Sequence, residues 1–535
     1  MSEPTKKQNF LHGAALLAGA AAIVKVLGAL YKIPLNAIIG AQGFGYFNTA
    51  YQIYSVLLLI STAGLPVAVS RMISAASSLG HYNEVRRIHN TARAIFLSLG
   101  LVSSLLMVLC CHGLSNYMKQ PDAWAAIATL GPCAFLVCLL STYRGFFQGQ
   151  GNMIPTSVNE IIEAVCKLVV GIVAALIILK ATNSVALAAA GAILGVTLGC
   201  LMGAVYLSSC FHKAYRRMPV TNEAVSSYGS IVKELLAIAV PITIGSAGLQ
   251  ALYLIETNLF MGQLLATGNT QEQADTMKGI YDMTLTIYNM PCAFIMPITV
   301  SIIPAITSQL TLKNHKGVVE TEESAARVTG LLALPCAAGI FVLAEPITAL
   351  IGGYSGAELD ISTPSMAVLG IGFFFYAVVQ VTNALLQAHG HATLPVIHIM
   401  LAGTMKLAIV YILSGNPNIG IVGVGIGSAL CNVCVCVLNL IAMRRVIEQR
   451  PAIVKNILRA LPSTLIMGVA VFAVWKLLGM ALAPESTIGR LLLCAVPVIT
   501  GVAVYAVCAV KLKAITREDC LLLPKGEKIA KLLHL

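Results

Sequence analysis

Lys25 and Lys32 lie seven residues apart in the first apolar run of this 535-residue chain, and so on one face of a helix. A charge at hydrocarbon depth costs roughly 2.5–3.5 kcal/mol on insertion scales and is kept where it meets a cavity or a partner. Two ammonium groups on one helix face suit an anionic head group, pyrophosphate above all. The alternative is that Lys32 snorkels toward an interface while Lys25 pairs with an acid elsewhere. Gly28 and Pro34 favour a bend beside them, which would widen a cavity. Farther along, Glu160, Glu163 and Lys167 share a face, and Glu163 ahead of Lys167 is the favourable order for an ion pair. That pair is either structural or exchanges partners when a ligand or ion arrives. Lys406 has no comparable acid beside it, which leaves it for an anion. Glu256 stands alone among Tyr253, Leu254, Ile255, Leu259 and Phe260. It is the candidate for coupling to a proton or a sodium ion, against the plainer reading of a helix–helix hydrogen bond. Asp282 reads as interfacial.

The elements that position these residues follow from composition. The chain is 58% hydrophobic and 10% charged, whereas a soluble domain carries about 25% charged residues. So few charges cannot cover an aqueous surface, and so apolar a chain does not stay disordered. The apolar runs do not alternate as barrel strands would. The fold class is therefore all-α, a polytopic membrane protein. About fourteen runs reach spanning length, at roughly 10–39, 46–70, 94–113, 123–143, 154–179, 185–210, 234–266, 280–310, 328–350, 364–388, 392–414, 420–443, 460–480 and 490–510.

The net charge of +12 is explained by topology and not by nucleic acid. With the N-terminus in the cytoplasm, Arg71, Arg86, Arg87, Arg144, Arg216, Arg217, Arg444 and Arg445 join the basic tails on that side. Few basic residues, Lys119 and Lys180 among them, fall opposite, a bias of roughly five to one. Both termini are expected in the cytoplasm, and the basic loops would also attract anionic lipids. No cleavable signal is evident in the polar residues 1–9. Neither a phosphate-binding G-x-x-x-x-G-K-[ST] loop nor H-E-x-x-H occurs, and Glu358 with Asp360 is a thin basis for a membrane transferase. An enzyme is not expected.

The chain repeats itself faintly. Gly45 falls on Gly279, Tyr54 on Tyr288, His81 on His315 and Arg93 on Arg327 at one offset; Gln148, Gly151 and Lys167 fall on Gln387, Gly390 and Lys406 at another. Six spans precede and six follow the polar stretch near 211–233, so the repeat is parallel, about an axis along the membrane normal. The expected organisation is a tail at 1–9, a first lobe at 10–215, a linker at 216–232 and a second lobe at 233–448. A two-span appendage at 449–511 and a basic tail at 512–535 complete it. Two facing lobes imply a cavity that alternating access can open to either side. Pro291, Pro297 and Pro304 make the eighth span the expected broken or hinged helix. Gly191, Gly195, Gly199 and Gly203 form a small-residue ladder for close packing within a bundle. Cys431, Cys434 and Cys436 lack the His or carboxylate context of a metal site and read as small packing residues.

Residues 143–156 read Tyr-Arg-Gly-Phe-Phe-Gln-Gly-Gln-Gly-Asn-Met-Ile-Pro-Thr and lead into Glu160, Glu163 and Lys167. This resembles the signature of the stage V sporulation protein B family of polysaccharide transporters. Gly64–Arg71 and Tyr31–Leu35 resemble other stretches of that family. The resemblance implies membership of the multidrug-oligosaccharidyl-lipid-polysaccharide (MOP) flippase superfamily, with two six-helix lobes and, in the lipid II branch, two further helices. It implies a polyprenyl-pyrophosphate-linked sugar as cargo, moved outward across a bacterial plasma membrane for wall or spore-cortex synthesis. Lys25, followed by Val26-Leu27-Gly28, matches a cavity cation of the lipid II flippase; Lys32 sits one residue off a second, and Arg71 lies where the family tends to carry a basic residue. Asn159-Glu160 replaces the usual Ser-Gln, adding an acid, and Lys167 stands where Arg is common, losing a bidentate donor.

The expectation is a lipid-linked sugar flippase with Lys25, Lys32, Arg71, Lys167 and Lys406 on the substrate and Glu160, Glu163 and Glu256 as cavity or ion-coupling groups. No cofactor or metal is expected. Coupling would be to a sodium or proton gradient or to membrane potential. The partners are the lipid-linked substrate, membrane lipids and, on one reading, wall-synthesis proteins around a monomer. The competing readings are a cation-coupled drug extruder, in which acids would dominate the cavity, and a non-transporting wall-synthesis scaffold.

Overall fold

Apolar runs of this length satisfy their backbone polar groups internally as helices, and helices are the regular structure throughout the described residues. The computed structural model describes residues 3–62, 64–221, 223–448, 451–481, 486–512 and 514. Within them the side chains at 3–22, 25, 26, 29, 60–62, 241, 242, 244–249, 293, 294, 296–298, 300, 301 and 487 are not described. The place expected for the Lys25 side chain lies outside the described residues.

The chain opens with α1 (Glu3–Thr62), α2 (Leu65–Ser78), α3 (Tyr82–Leu109), the short α4 (Cys111–Tyr117) and a 3-10 turn at Pro121–Ala123. It continues with α5 (Trp124–Gly149), α6 (Ile154–Thr182), α7 (Val185–Arg217), α8 (Tyr228–Ala266) and α9 (Gln271–Thr311). Then come α10 (His315–Val342), the short α11 (Ala344–Ile351), α12 (Ala357–Ala388), α13 (Thr393–Ser414) and α14 (Val422–Val446). The last elements are α15 (Ile453–Leu458), α16 (Leu461–Ala481) and α17 (Thr487–Lys511). Ten helices among the described residues are long and apolar enough to cross a membrane. They coincide with the third to sixth and ninth to fourteenth expected spans. The other four spans fall in α1, α2, α8 and α9.

No helix break falls in the described part of the eighth span. α9 runs helical from Gln271 to Thr311 through its prolines, whereas α1 breaks at Gly40, with φ 67° and ψ 178°. A residue with a Cβ resists that conformation and glycine does not. A proline removes one hydrogen bond and bends a helix without ending it, which neighbouring groups in a membrane tolerate.

The chain forms two compact units, Met1–Gly262 with Thr270–Gly279 and Gln263–Asn269 with Ile280–Leu535. Their border runs through the α8–α9 hairpin, whereas the repeat places a lobe boundary at 216–232. The ties of α8 to the first unit include its Ala239 backbone against Gly64 and Thr257 Oγ1, which donates to Gln52 Oε1 at 3.2 Å. The two units repeat one internal pattern. In the first, α3 packs on α5, α5 on α7 and α6 on α7; in the second, α10 packs on α12, α12 on α14 and α13 on α14. The turn that follows α5 recurs after α12. Gly151 and Gly390 sit at φ 74° and 83°, and their N–H groups donate to Gln148 O and Gln387 O at 3.0 Å each. These are the residues that the repeat aligns. The appendage docks inside the second unit, α16 on α10 and α17 on α11, with Tyr505 Oη donating to Leu331 O at 2.8 Å.

The glycine ladder of α7 faces α6. A Cβ at Gly191 would meet Ala174 O at 3.1 Å and one at Gly199 would meet Glu163 O at 3.0 Å, while Gly195 lies against the backbone of Gly171. Overpacking of this kind costs about 1–3 kcal/mol. Gly195→Leu should therefore lower the thermal unfolding midpoint in detergent, and an unchanged midpoint would show that the helices can part without cost.

The linker after α7 is clasped to the start of α3. Glu223 Oε1 accepts the Asn83 N–H at 2.7 Å and the Glu84 N–H at 3.2 Å. In return Glu84 Oε2 accepts the Ser226 N–H at 2.8 Å, and Arg86 Nη2 donates to Met218 O at 2.8 Å. The Thr221 hydroxyl and these helix-terminal N–H groups hold the Glu223 carboxyl down at about 2. Its contribution to the clasp is present above the ordinary carboxylate value and is lost as pH falls through the lowered one. Hydrogen exchange of residues 82–86 should accelerate over that acid window beyond the intrinsic pH effect. In Glu223→Gln the acceleration should be absent.

Candidate functional site: a cation held on aromatic rings

The break at Gly40 folds α1 so that residues before and after it meet. Tyr31 precedes the break; Phe44, Phe47, Tyr51 and Tyr54 follow at spacings that keep them on one helix face. Tyr31 is 1% exposed, donates Oη to Ala192 O at 2.9 Å, and places its ring 5.8 Å from that of Phe47. Phe47 and Tyr51 are 4.8 Å apart between centroids. Gly171 leaves room for this ring, since a Cβ there would meet Tyr31 Oη at 2.9 Å.

Lys167, one turn before Gly171 on α6, extends its ammonium into this cluster. Nζ lies 5.0 Å from the Tyr31 centroid, 4.8 Å from Tyr51 and 6.0 Å from Phe47. Such contacts are worth about 0.5–2 kcal/mol, the upper figure when desolvated. Lys32 lies over Phe44 at 6.0 Å and is near enough to repel Lys167. The structure thus brings Lys32 and Lys167 together.

Glu163 does not join them. Arg144, from the end of α5, holds Glu163 Oε1 at 2.7 Å, and Asn159 Nδ2 donates to the same oxygen at 2.5 Å. Glu160 is half-buried beside this pair and feels the Arg144 charge. The acid that the spacing offered to Lys167 is thereby used, and no carboxylate stands within ion-pair distance of Lys167 among the described residues. Arg144 and the tyrosines are the members that sequence reasoning missed. Arg144 lies inside the 143–156 signature, where loop charge alone already accounts for it. The helical spacing of Phe44, Phe47 and Tyr51 was a signal available in the chain.

The remaining candidates are placed apart from this cluster. Arg71 is exposed on α2. Glu256 is 5% exposed on α8, and its neighbour Asn258 is spent on Tyr117 O. Lys406 belongs to the second unit, where it packs on Gly427 of α14. Asp282 is buried at 6% exposure. Cys436 is part of the apolar core of the second unit.

A cation resting on neutral rings, with the nearest acid neutralised by arginine, can exchange its ring contacts for phosphate oxygens without first breaking an ion pair. Comparisons with known proteins give the family and the fold. The family model described as polysaccharide biosynthesis protein matches residues 10–310. The stage V sporulation protein B of Bacillus subtilis (strain 168) is 24% identical, over 82% of this chain and 85% of its own length. The lipid II flippase MurJ of the same organism is 24% identical, over 94% and 95%. A solved lipid II flippase MurJ in an inward closed conformation superposes with a TM-score of 0.66 at 12% identity, covering 93% of this chain and 99% of that one. With more than half of its length matched, the chain belongs to the polysaccharide biosynthesis protein family.

Proposed function

We propose that this protein is a flippase for a polyprenyl-pyrophosphate-linked sugar, a lipid II-like wall precursor or a related lipid-linked oligosaccharide. The observation that carries the reading is the Lys167 ammonium on Tyr31, Phe47 and Tyr51, beside Lys32, with Glu163 already held by Arg144. A cation site of this kind attracts a pyrophosphate and repels the cationic cargo of a drug extruder. The hydrophilic head group cannot cross hydrocarbon alone, so it would cross between the lobes by alternating access while the polyprenyl tail stays in lipid. The names of the relatives support a lipid-linked cargo, and the basic loops support cytoplasmic termini. Lys25, Lys32 and Lys167 would hold the pyrophosphate, with Arg71 and Lys406 supporting. Depletion of the protein in its host should accumulate one lipid-linked precursor on the inner leaflet. Depletion that accumulates none, with wall and polysaccharide output intact, would refute the assignment.

A further inference from the structure

A second polar cluster lies at the end of the first unit away from the basic loops, where the cation site plays no part. Asp275, at the start of α9, is fully buried. Its Oδ1 accepts from Gln120 Nε2 and from Gln271 Nε2, each at 3.0 Å. Its Oδ2 accepts from Tyr46 Oη at 2.9 Å. The same Tyr46 oxygen lies 3.4 Å from Oδ2 of Asp122, an exposed residue of the 3-10 turn, and accepts from Gln42 Nε2 at 3.0 Å. Gln120 is fixed in turn by Thr49. Tyr46 therefore bridges a carboxylate in water and a carboxylate out of it.

We propose that Asp275 is a proton-binding site, loaded from the water around Asp122 through the hydroxyl of Tyr46. Asp122 takes a proton from water and passes it to Tyr46 Oη as Tyr46 passes its own to Asp275 Oδ2. Tyr46 stays neutral throughout and ends donating to Asp122 while accepting from Asp275. The loaded carboxyl keeps every contact, since Oδ1 still accepts from both glutamines. The charged and titratable groups around it are Tyr46 from α1, Asp122 from the turn and Lys278 one turn along α9. Lys278 is itself fully buried, with Nζ donating to Gly45 O at 3.4 Å.

Beside this site α1 packs closely on α9. Gly45 and Gly279 occupy equivalent positions, and they touch: a Cβ on Gly45 would lie 3.3 Å from Gly279 N, and Gly279 itself lies against the Ala41 carbonyl. Both residues belong to the first unit, so this packing of α1 on α9 is internal to it. Burial pushes the Asp275 carboxyl above its ordinary value, against the hydrogen bonds that lower it. A buried site with a raised value binds its proton more tightly than the same carboxyl in water. The packing of α1 on α9 around it therefore gains as pH falls and weakens as pH rises through the raised value. Under the transport reading, on which its role in coupling rests, a proton taken up here would couple to flipping.

The test needs no cargo. Infrared difference spectra of the full chain in lipid nanodiscs should show, among the protonated-carboxyl bands, one from Asp275 that titrates above the ordinary aspartate range. Asp275→Asn should remove that band. Tyr46→Phe, which keeps the ring, should retain it but slow its appearance after a pH jump at least about tenfold. A band unchanged by Asp275→Asn, or loading as fast in Tyr46→Phe as in the native protein, would overturn the proposal. Normal flipping without the band would overturn only this site, and an intact band without flipping only the assigned cargo.

Discussion

Replacing Lys167 with alanine should slow head-group translocation by about 10- to 100-fold, the loss of one charge-assisted contact of roughly 1.5–3 kcal/mol. The ring cluster of Tyr31, Phe47 and Tyr51 should survive the change, because those residues pack on one another and Tyr31 is tied to Ala192 O. The loss should therefore appear in transport with little change in thermal stability. Lys167→Arg supplies a planar fork suited to phosphate and should keep most of the rate. Initial rates for the two variants in proteoliposomes decide the matter. Equal rates for Lys167→Ala and the native protein would remove this ammonium from the mechanism.

His389→Ala should destabilise the second unit by about 1–3 kcal/mol, the cost of leaving a buried hydrogen-bonding group without its partner. Glu322 is fully buried, the His389 side chain is 10% exposed, and His389 Nε2 lies 2.7 Å from Glu322 Oε1. Glu322 Oε2 has no hydrogen-bond partner among the described residues, so His389 is the support of a carboxyl on α10 that water does not reach. Replacing both by apolar residues of similar volume should recover much of the loss, since a buried pair is seldom more stable than good packing. Thermal unfolding of the single and double variants separates these outcomes. A single variant as stable as the native protein would mean that Glu322 finds another donor.

Much of this architecture was legible in the chain because a membrane leaves few options. Apolar length sets the spans, loop charge sets the expected orientation, and the order of Gln148 and Gly151 against Gln387 and Gly390 foretold one turn built twice. What escaped were contacts between helices distant in sequence. Spacing offered Glu163 to Lys167, and only packing brings Arg144 from α5 to take it at 2.7 Å. Proline content pointed to α9 as the broken or hinged helix, yet the break follows the one residue, Gly40, whose backbone adopts φ 67°. Asp275 drew no attention because its partners, Tyr46 and Gln120, arrive from α1 and from the turn before α5.

The central claim is tested most directly by reconstituting the purified protein into vesicles with a labelled polyprenyl-pyrophosphate sugar on one leaflet. The account predicts protein-dependent arrival of the head group on the other leaflet, impaired in Lys25→Ala and in Lys167→Ala. It also predicts no comparable movement of a cationic drug. Vesicles that extrude the drug and leave the labelled sugar where it began would contradict it.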